Sequence, residues 1–459
     1  MTWTPALSQD DAPIYERLVR ALADDVAAGV LAPGERLPPQ RDLAFRLGLG
    51  VGTVTKAYAE AERRGLLAGH VGRGSFVAPG RGAVASAVEA GPLDMARNLP
   101  PLGPARARLP AAMARLERRR DLVERLDYPP DGGFAADRAA GAQWLAQVSG
   151  WDDLDPARVI CTAGAQQAAM AAFAGTCRPG ETIIAEAATF SGLRAAAAAL
   201  GYRLAPAAID GEGLIPDALD RAAAETGARA AYVLPTHNPT TRVMGAQRRR
   251  DIVAVARARD LILVEDDLYG GYAMELGLEP LARLAPERVF HATSLSKTVS
   301  PGLRAGYLIA PTAGQSHDRA LGALTAIAQG SPGFGLALAS QWIEDGVALA
   351  ILGENRTEMT ARVALARDIL GPAMERPAAA ASLHAWLPMS EIAAERAAAR
   401  ALRAGVEVTP PGAMILDGAT VSGLRLCLGA VGDRAALERG LRRVKAALDG
   451  DDAPRRDIV

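Results

Sequence analysis

The sequence predicts two unlike folds in one chain. The first is an N-terminal winged helix-turn-helix, mainly α with a β-wing; the second is a larger α/β domain with a mostly parallel sheet and a small α+β C-terminal subdomain. Three observations predict this. Residues 13–77 hold three short helical patterns and then a hairpin pattern. Residues 78–93 lose all periodicity and fill with Gly, Ala, Pro and Ser, as a linker does. In 94–459, short continuous apolar runs alternate with helix-length stretches, the pattern of strands covered on both faces. The expected boundaries are therefore 1–77, 78–93 and 94–459, with the small subdomain starting at about 335.

In the head, Ile14, Leu18, Leu22 and Val26 recur every fourth residue, giving an amphipathic helix that Gly29 can stop. After Leu37-Pro38-Pro39, a second short helix carries Leu43, Ala44 and Leu47 and ends at Gly48. A third runs from about Val51 to Arg64, with Val51, Val54, Tyr58 and Ala61 as its buried face. Leu66-Leu67 and Phe76-Val77, set around a glycine-rich turn, read as the hairpin.

In the large domain the apolar runs 159–161, 182–185, 231–234, 261–264 and 289–291 are the expected strands, with 382–387 and 423–428 in the tail. The charge-free stretch 320–343 is long enough to span a bilayer. It contains Gln329, Ser331, Pro332 and Gln341, however, so it reads as core helices joined by a loop, with no membrane partner.

Composition narrows the function classes. A net charge of −1 excludes a chain that coats nucleic acid by bulk charge, though not a locally basic reading head. Cys161, Cys177 and Cys427 are odd in number and scattered, so neither a disulfide framework nor a metal site is expected. Asp10 and Asp11 stand where a signal peptide would be apolar, which points to the cytoplasm. Among 51 Lys and Arg residues only Lys56, Lys297 and Lys445 are lysines, so a lysine here stands out for its amine.

Ligands of open α/β sheets bind beyond the carboxyl ends of the strands. After Cys161, Thr162-Ala163-Gly164-Ala165-Gln166 opens a helix whose N–H groups suit a phosphate, although an ordinary strand–helix turn looks the same. After Leu234 comes Pro235-Thr236-His237-Asn238-Pro239-Thr240, and after Val264 comes Glu265-Asp266-Asp267-Leu268-Tyr269. After His291, Ser294-Leu295-Ser296-Lys297 is followed by Arg304. One chemistry uses all four motifs. A lysine condenses with an aldehyde, a carboxylate holds a pyridinium nitrogen, Ser, Arg and helix N–H groups bind a phosphate, and Asn and Tyr reach a ring hydroxyl. That is pyridoxal phosphate chemistry.

These residues carry a resemblance. Residues 94 to about 447 resemble fold type I aminotransferases, most specifically in the 294–307 run from Ser294-Leu295-Ser296-Lys297 through Arg304 to Gly306-Tyr307. Residues 13–77 resemble GntR-family winged helix-turn-helix regulators, in Pro13-Ile14-Tyr15, Gly34-Glu35-Arg36-Leu37-Pro38 and Gly74-Ser75-Phe76-Val77. The fusion resembles MocR-type transcriptional regulators. The resemblance implies that Lys297 bonds the cofactor aldehyde, Asp266 pairs with the pyridine nitrogen, and Asn238 and Tyr269 contact the ring hydroxyl. It implies a phosphate cradle of Gly164, Ala165, Gln166, Ser294 and Arg304, with Ser296 able to share, and Phe190 stacked on the ring. Tyr128 resembles the tyrosine that reaches into a neighbouring subunit's site, which implies a homodimer. Arg425 alternates with Leu424 and Leu426 and matches the arginine that binds a substrate carboxylate. His237, His384, Cys161 and Cys427 are read as structural, and Glu265 and Asp267, which flank Asp266, are assigned to no metal.

For the head, the resemblance places the third helix in the major groove of double-stranded DNA, offering Thr53, Thr55 and Lys56, with Arg41 beside it and Arg73 of the wing at the minor groove. Residues 34–80 carry seven basic against four acidic residues. Leu49-Gly50-Val51-Gly52 departs from the family's polar start to this helix, which loosens it and removes side-chain contacts.

Three functions fit. One is a regulator that senses an amine or amino acid effector through pyridoxal 5′-phosphate. Another is an aminotransferase with a tethered DNA-binding head, and the third is a regulator of which the cofactor itself is the signal. The head favours regulation, because amino-group transfer has no use for it.

Overall fold

Prolines set the entries to the first two helices of the N-terminal unit. Pro13 (φ −51°) precedes α1 (Ile14–Ala27) and Pro39 (φ −54°) precedes α2 (Gln40–Leu47), and their carbonyls accept the first helical N–H groups. Gly48, at φ +64°, closes α2 in the left-handed conformation that glycine adopts without strain. α3 (Val51–Arg63) starts at Gly50 with no side-chain cap. Leu18, Leu22, Leu43, Ala44, Val54, Tyr58 and Ala61 form one core, and the Tyr58 hydroxyl donates to Pro38 O at 2.9 Å. Val51 does not join it. As the first residue of α3 it has no preceding turn beside it and stays 45% exposed, contrary to the sequence expectation. β1 (Leu67–His70) and β2 (Gly74–Val77) pair antiparallel as the hairpin.

The computed structural model describes residues 3–7, 12–32, 34–70, 74–78 and 91–450. Arg73 and most of the expected linker (79–90) therefore lie outside the described residues. The chain forms two compact units, Met1–Gly91 and Pro92–Val459.

The second unit opens with β3 (Leu93–Met95), so Leu93 belongs to a strand and not to the linker. Its N–H donates to Gly405 O at 2.9 Å, which fixes the register. The main sheet uses β4 (Val159–Thr162), β5 (Thr182–Glu186) and β6 (Arg203–Ala207). A two-residue ribbon, β7 (Ile209–Asp210) with β8 (Gly213–Leu214), stands apart from it. The sheet continues with β9 (Ala230–Val233), β10 (Ile262–Asp266), β11 (Val289–Ser294) and β12 (Gly306–Ile309). The order is β4-β12-β11-β10-β9-β5-β6, with only β12 antiparallel to its neighbours. Apolar clusters cover both faces, which is why the strands read as continuous apolar runs.

In the tail, β13 (His384–Pro388) pairs antiparallel with β15 (Gly423–Cys427), and β14 (Val406–Val408) pairs parallel with β3. The small subdomain thus takes one strand from the start of the unit. The stretch 320–343 falls in helices Ser316–Ala328 and Gly333–Glu344, broken at Gln329 and Gly330, both at positive φ. Among the described residues no single helix is long and apolar enough to cross a membrane.

Candidate functional site

One cavity sits beyond the carboxyl ends of the central strands. Gly164, Ala165, Gln166, Phe190, Asn238, Asp266, Tyr269, Ser294, Ser296, Lys297 and Arg304 line it, together with Leu234, Leu268 and Pro301. The topology explains the gathering. β4 leads to Gly164, the run after β9 to Asn238, β10 ends at Asp266, and β11 leads through Ser294 to Lys297.

At one end, two glycines press backbone on backbone. A Cβ on Gly306 would fall 2.6 Å from Gly164 Cα, and one on Gly164, at φ +110°, would fall 3.0 Å from Arg304 Nη2. Helix Ala165–Thr176 begins there without a side-chain cap, and the Arg304 guanidinium donates to Ala163 O. Free first-turn N–H groups and a guanidinium form a cradle for a dianion.

At the other end, Asp266 is 5% exposed, and burial pushes its carboxyl up to about 7 against the donation from the Tyr232 hydroxyl to Oδ2. Lys297 is brought down to about 8 by burial first and by the Arg425 charge second. Its Nζ donates to Asn98 O at 2.6 Å. Asn238 Oδ1 accepts from Arg425 Nη1 at 2.9 Å, which leaves its amide N–H groups for a ring oxygen. The Tyr269 hydroxyl accepts from Asn98 Nδ2 at 3.0 Å. A cation acceptor, a half-buried amine and a dianion cradle in one cavity match the three ends of pyridoxal phosphate, so the residues fit that group.

Arg425 and Tyr128 are not part of this cavity's lining. Arg425 is buried and touches the site through Asn238, and its Nη2 also donates to Ala96 O at 3.1 Å and Thr409 Oγ1 at 2.9 Å. Tyr128 does not line the cavity and is 74% exposed, beside Pro129 and Gly330 on a separate cleft.

The residues read as structural, and Glu265 beside Asp266, are tied down. Glu265 accepts from Leu281 and Ala282 N–H groups and pairs with His291 Nδ1 at 2.8 Å. His237 Nδ1 meets Thr240 Oγ1 at 2.8 Å and its Nε2 lies 3.9 Å from Glu186 Oε2, while His384 Nδ1 meets Asn98 Nδ2 at 3.1 Å. Burial holds both histidines neutral, with His237 down at about 3. Cys161 and Cys427 are buried.

On the head, Arg41, Thr55 and Lys56 are exposed and Thr53 is half-buried. Lys56 Nζ rests 3.9 Å from the Tyr15 ring centre, and Thr55 Oγ1 donates to Gln40 Oε1 at 2.8 Å. Phe45, 89% exposed on α2, escaped the sequence reading. So did Asn98, which lies in no motif, and Tyr232, hidden inside an apolar run.

Residues 91–444 match the family described as aminotransferase class I and II, and residues 14–77 match bacterial regulatory proteins of the gntR family. The chain is 32% identical over 320 residues to the uncharacterized HTH-type transcriptional regulator YdeF of Bacillus subtilis, covering 68% of each. It is 31% identical over 296 residues to the HTH-type pyridoxine biosynthesis transcriptional regulator PdxR of Corynebacterium glutamicum, covering 62% of this chain and 64% of that one. The fold resembles LysN, an alpha-aminoadipate aminotransferase of Thermus thermophilus solved with N-(5′-phosphopyridoxyl)-L-leucine. The TM-score is 0.66 at 25% identity, over 78% of this chain and 92% of that one.

Proposed function

Given that this chain belongs to the aminotransferase class I and II family and carries a gntR-family head, we propose that it is a DNA-binding transcriptional regulator that senses an amine or amino acid through pyridoxal 5′-phosphate. Residues 1–77 bind double-stranded DNA, the segment from 78 to the start of β3 links, and the unit that opens with Leu93 holds the cofactor. The observation that carries this reading is Lys297, one of three lysines in the chain, half-buried in a cavity shared with Asp266 and Arg304 in a chain that also has a helix-turn-helix unit.

When bound, the cofactor supplies an aldehyde for amine capture and a ring that accepts electrons. The chain's own residues bind and orient. Gly164, Ala165, Gln166, Ser294 and Arg304, with Ser296 beside them, hold the phosphate; Asp266 holds the proton of the ring nitrogen; Asn238 and Tyr269 hold the ring oxygen; Phe190 covers the ring. Lys297 would hold the aldehyde end of the cofactor, where an effector amine would compete with it, and Arg425, now on Asn238, would hold a carboxylate where the effector has one. Closure of the small subdomain then favours one head arrangement, which is the differential contact that allostery requires. The protein works in the cytoplasm as a homodimer, with Tyr128 reaching the neighbouring subunit's cavity.

The test combines two readouts on full-length protein. Amines that shift the near-visible absorbance of the loaded protein should also change its affinity for upstream promoter DNA, and Lys297→Ala should lose both responses. Sustained multiple turnover with an amino donor and a keto acid, without an effect on DNA binding, would favour the aminotransferase reading.

A further inference from the structure

Asp266 has a partner that the cavity does not share. Tyr232 stands on β9 opposite Val264 of the parallel neighbour β10. Side chains two residues apart on a strand share a face, so the phenol runs along the face of Val264 and Asp266 and donates to Asp266 Oδ2. Tyr232 is 1% exposed, packs 6.1 Å from the Phe173 ring centre, and is absent from the cavity lining. Burial, and then the Asp266 charge, hold the phenol well above its usual range, so it is always a donor.

A buried carboxylate without donors takes up a proton and becomes neutral. A neutral acid cannot keep a proton on a pyridine nitrogen. The Tyr232 donation stabilises the ionised form and ties down Oδ2, which leaves Oδ1 to face the cavity.

We propose that Tyr232 is the positioning residue of Asp266, keeping the carboxylate charged and aimed so that it can hold a protonated ring nitrogen. This rests on the cofactor reading above, and the experiment separates the two. Wild-type protein and Tyr232→Phe are titrated with pyridoxal 5′-phosphate and with its 1-deaza analogue, in which carbon replaces the ring nitrogen. The substitution keeps the ring packed on Phe173. Tyr232→Phe should bind pyridoxal phosphate about tenfold more weakly while its affinity for the analogue changes by less than about twofold. The resonance of a ring-labelled ¹⁵N cofactor should move toward its unprotonated position. Equal losses for both ligands would reveal a purely structural tyrosine and overturn the assignment, as would no loss for either. A wild-type protein that binds neither ligand overturns the cofactor reading itself.

Discussion

Lys297 Nζ donates to the backbone carbonyl of Asn98, three residues past β3, the strand that opens the second unit. Two residues earlier, Ala96 O accepts from Arg425. The two cations proposed to meet cofactor and effector thus hold the carbonyls of one short segment just after β3.

Loading should therefore loosen the segment. With the cofactor held, the Lys297 amine would no longer be free to donate to Asn98 O. In hydrogen-exchange mass spectrometry, peptides covering 93–99 should exchange about threefold faster or more once pyridoxal phosphate is added to wild-type protein. In Lys297→Ala the addition should change nothing there. Equal protection of the wild type in both states would remove the segment from any sensing role.

The rate of cofactor capture should depend on pH. Only the neutral amine attacks a carbonyl carbon. With Lys297 near 8, about one-tenth of it is neutral at pH 7, against less than about one part in a thousand for a free lysine. The neutral form of any amine grows as pH rises, and the downward shift brings the point where it levels off from the range of a free lysine to near 8. Stopped-flow absorbance should show capture speeding up about tenfold from pH 6 to 7 and levelling off above about 8. Arg425→Met removes a neighbouring positive charge, so its midpoint should move upward; a midpoint that stays put would show that Arg425 is too well screened to matter.

The cradle should tolerate no side chain at Gly306. Its Cβ would meet Gly164 Cα at 2.6 Å and Thr162 Oγ1 at 2.8 Å, both part of the turn that presents the helix N–H groups. Gly306→Ala should weaken pyridoxal phosphate binding about a hundredfold, the cost of displaced backbone donors to a dianion. Gly322→Ala, where a Cβ meets nothing within 4 Å, should bind normally. Equilibrium dialysis decides between them, and near-normal binding by Gly306→Ala would mean that the phosphate sits elsewhere.

The strands were legible because burial on both faces leaves little but apolar residues, and the cavity was legible because each strand end carries its own motif. What stayed hidden lacks a local signal. Tyr232 sits in the run 231–234, where a tyrosine reads as one more apolar residue; only the register with Val264 brings it to Asp266. Asn98 reaches Tyr269 and His384, 171 and 286 residues away, through contacts that no spacing announces. β12 was absorbed into the lysine–arginine motif, and its antiparallel course depends on β4 and β11 together. Val51 continued the apolar period of α3, but a helix's first residue lacks a turn in front of it, and period alone does not show that.

The DNA-binding surface can be tested through the contact between Lys56 and Tyr15. Lys56 Nζ lies over the Tyr15 ring, so it must leave this exposed cation–π contact before it can reach a phosphate. Removing the ring should release it. Tyr15→Leu should therefore bind promoter DNA about two- to fivefold more tightly. Lys56→Ala and Arg41→Ala should each weaken binding about fivefold at physiological salt and reduce the slope of log affinity against log salt by about one. The double variant Tyr15→Leu/Lys56→Ala should behave as Lys56→Ala alone, because the ring acts only through the lysine. If Lys56→Ala and Arg41→Ala both keep wild-type affinity and slope, α3 and the start of α2 do not face the groove, and the exposed Phe45 side of α2 becomes the surface to probe.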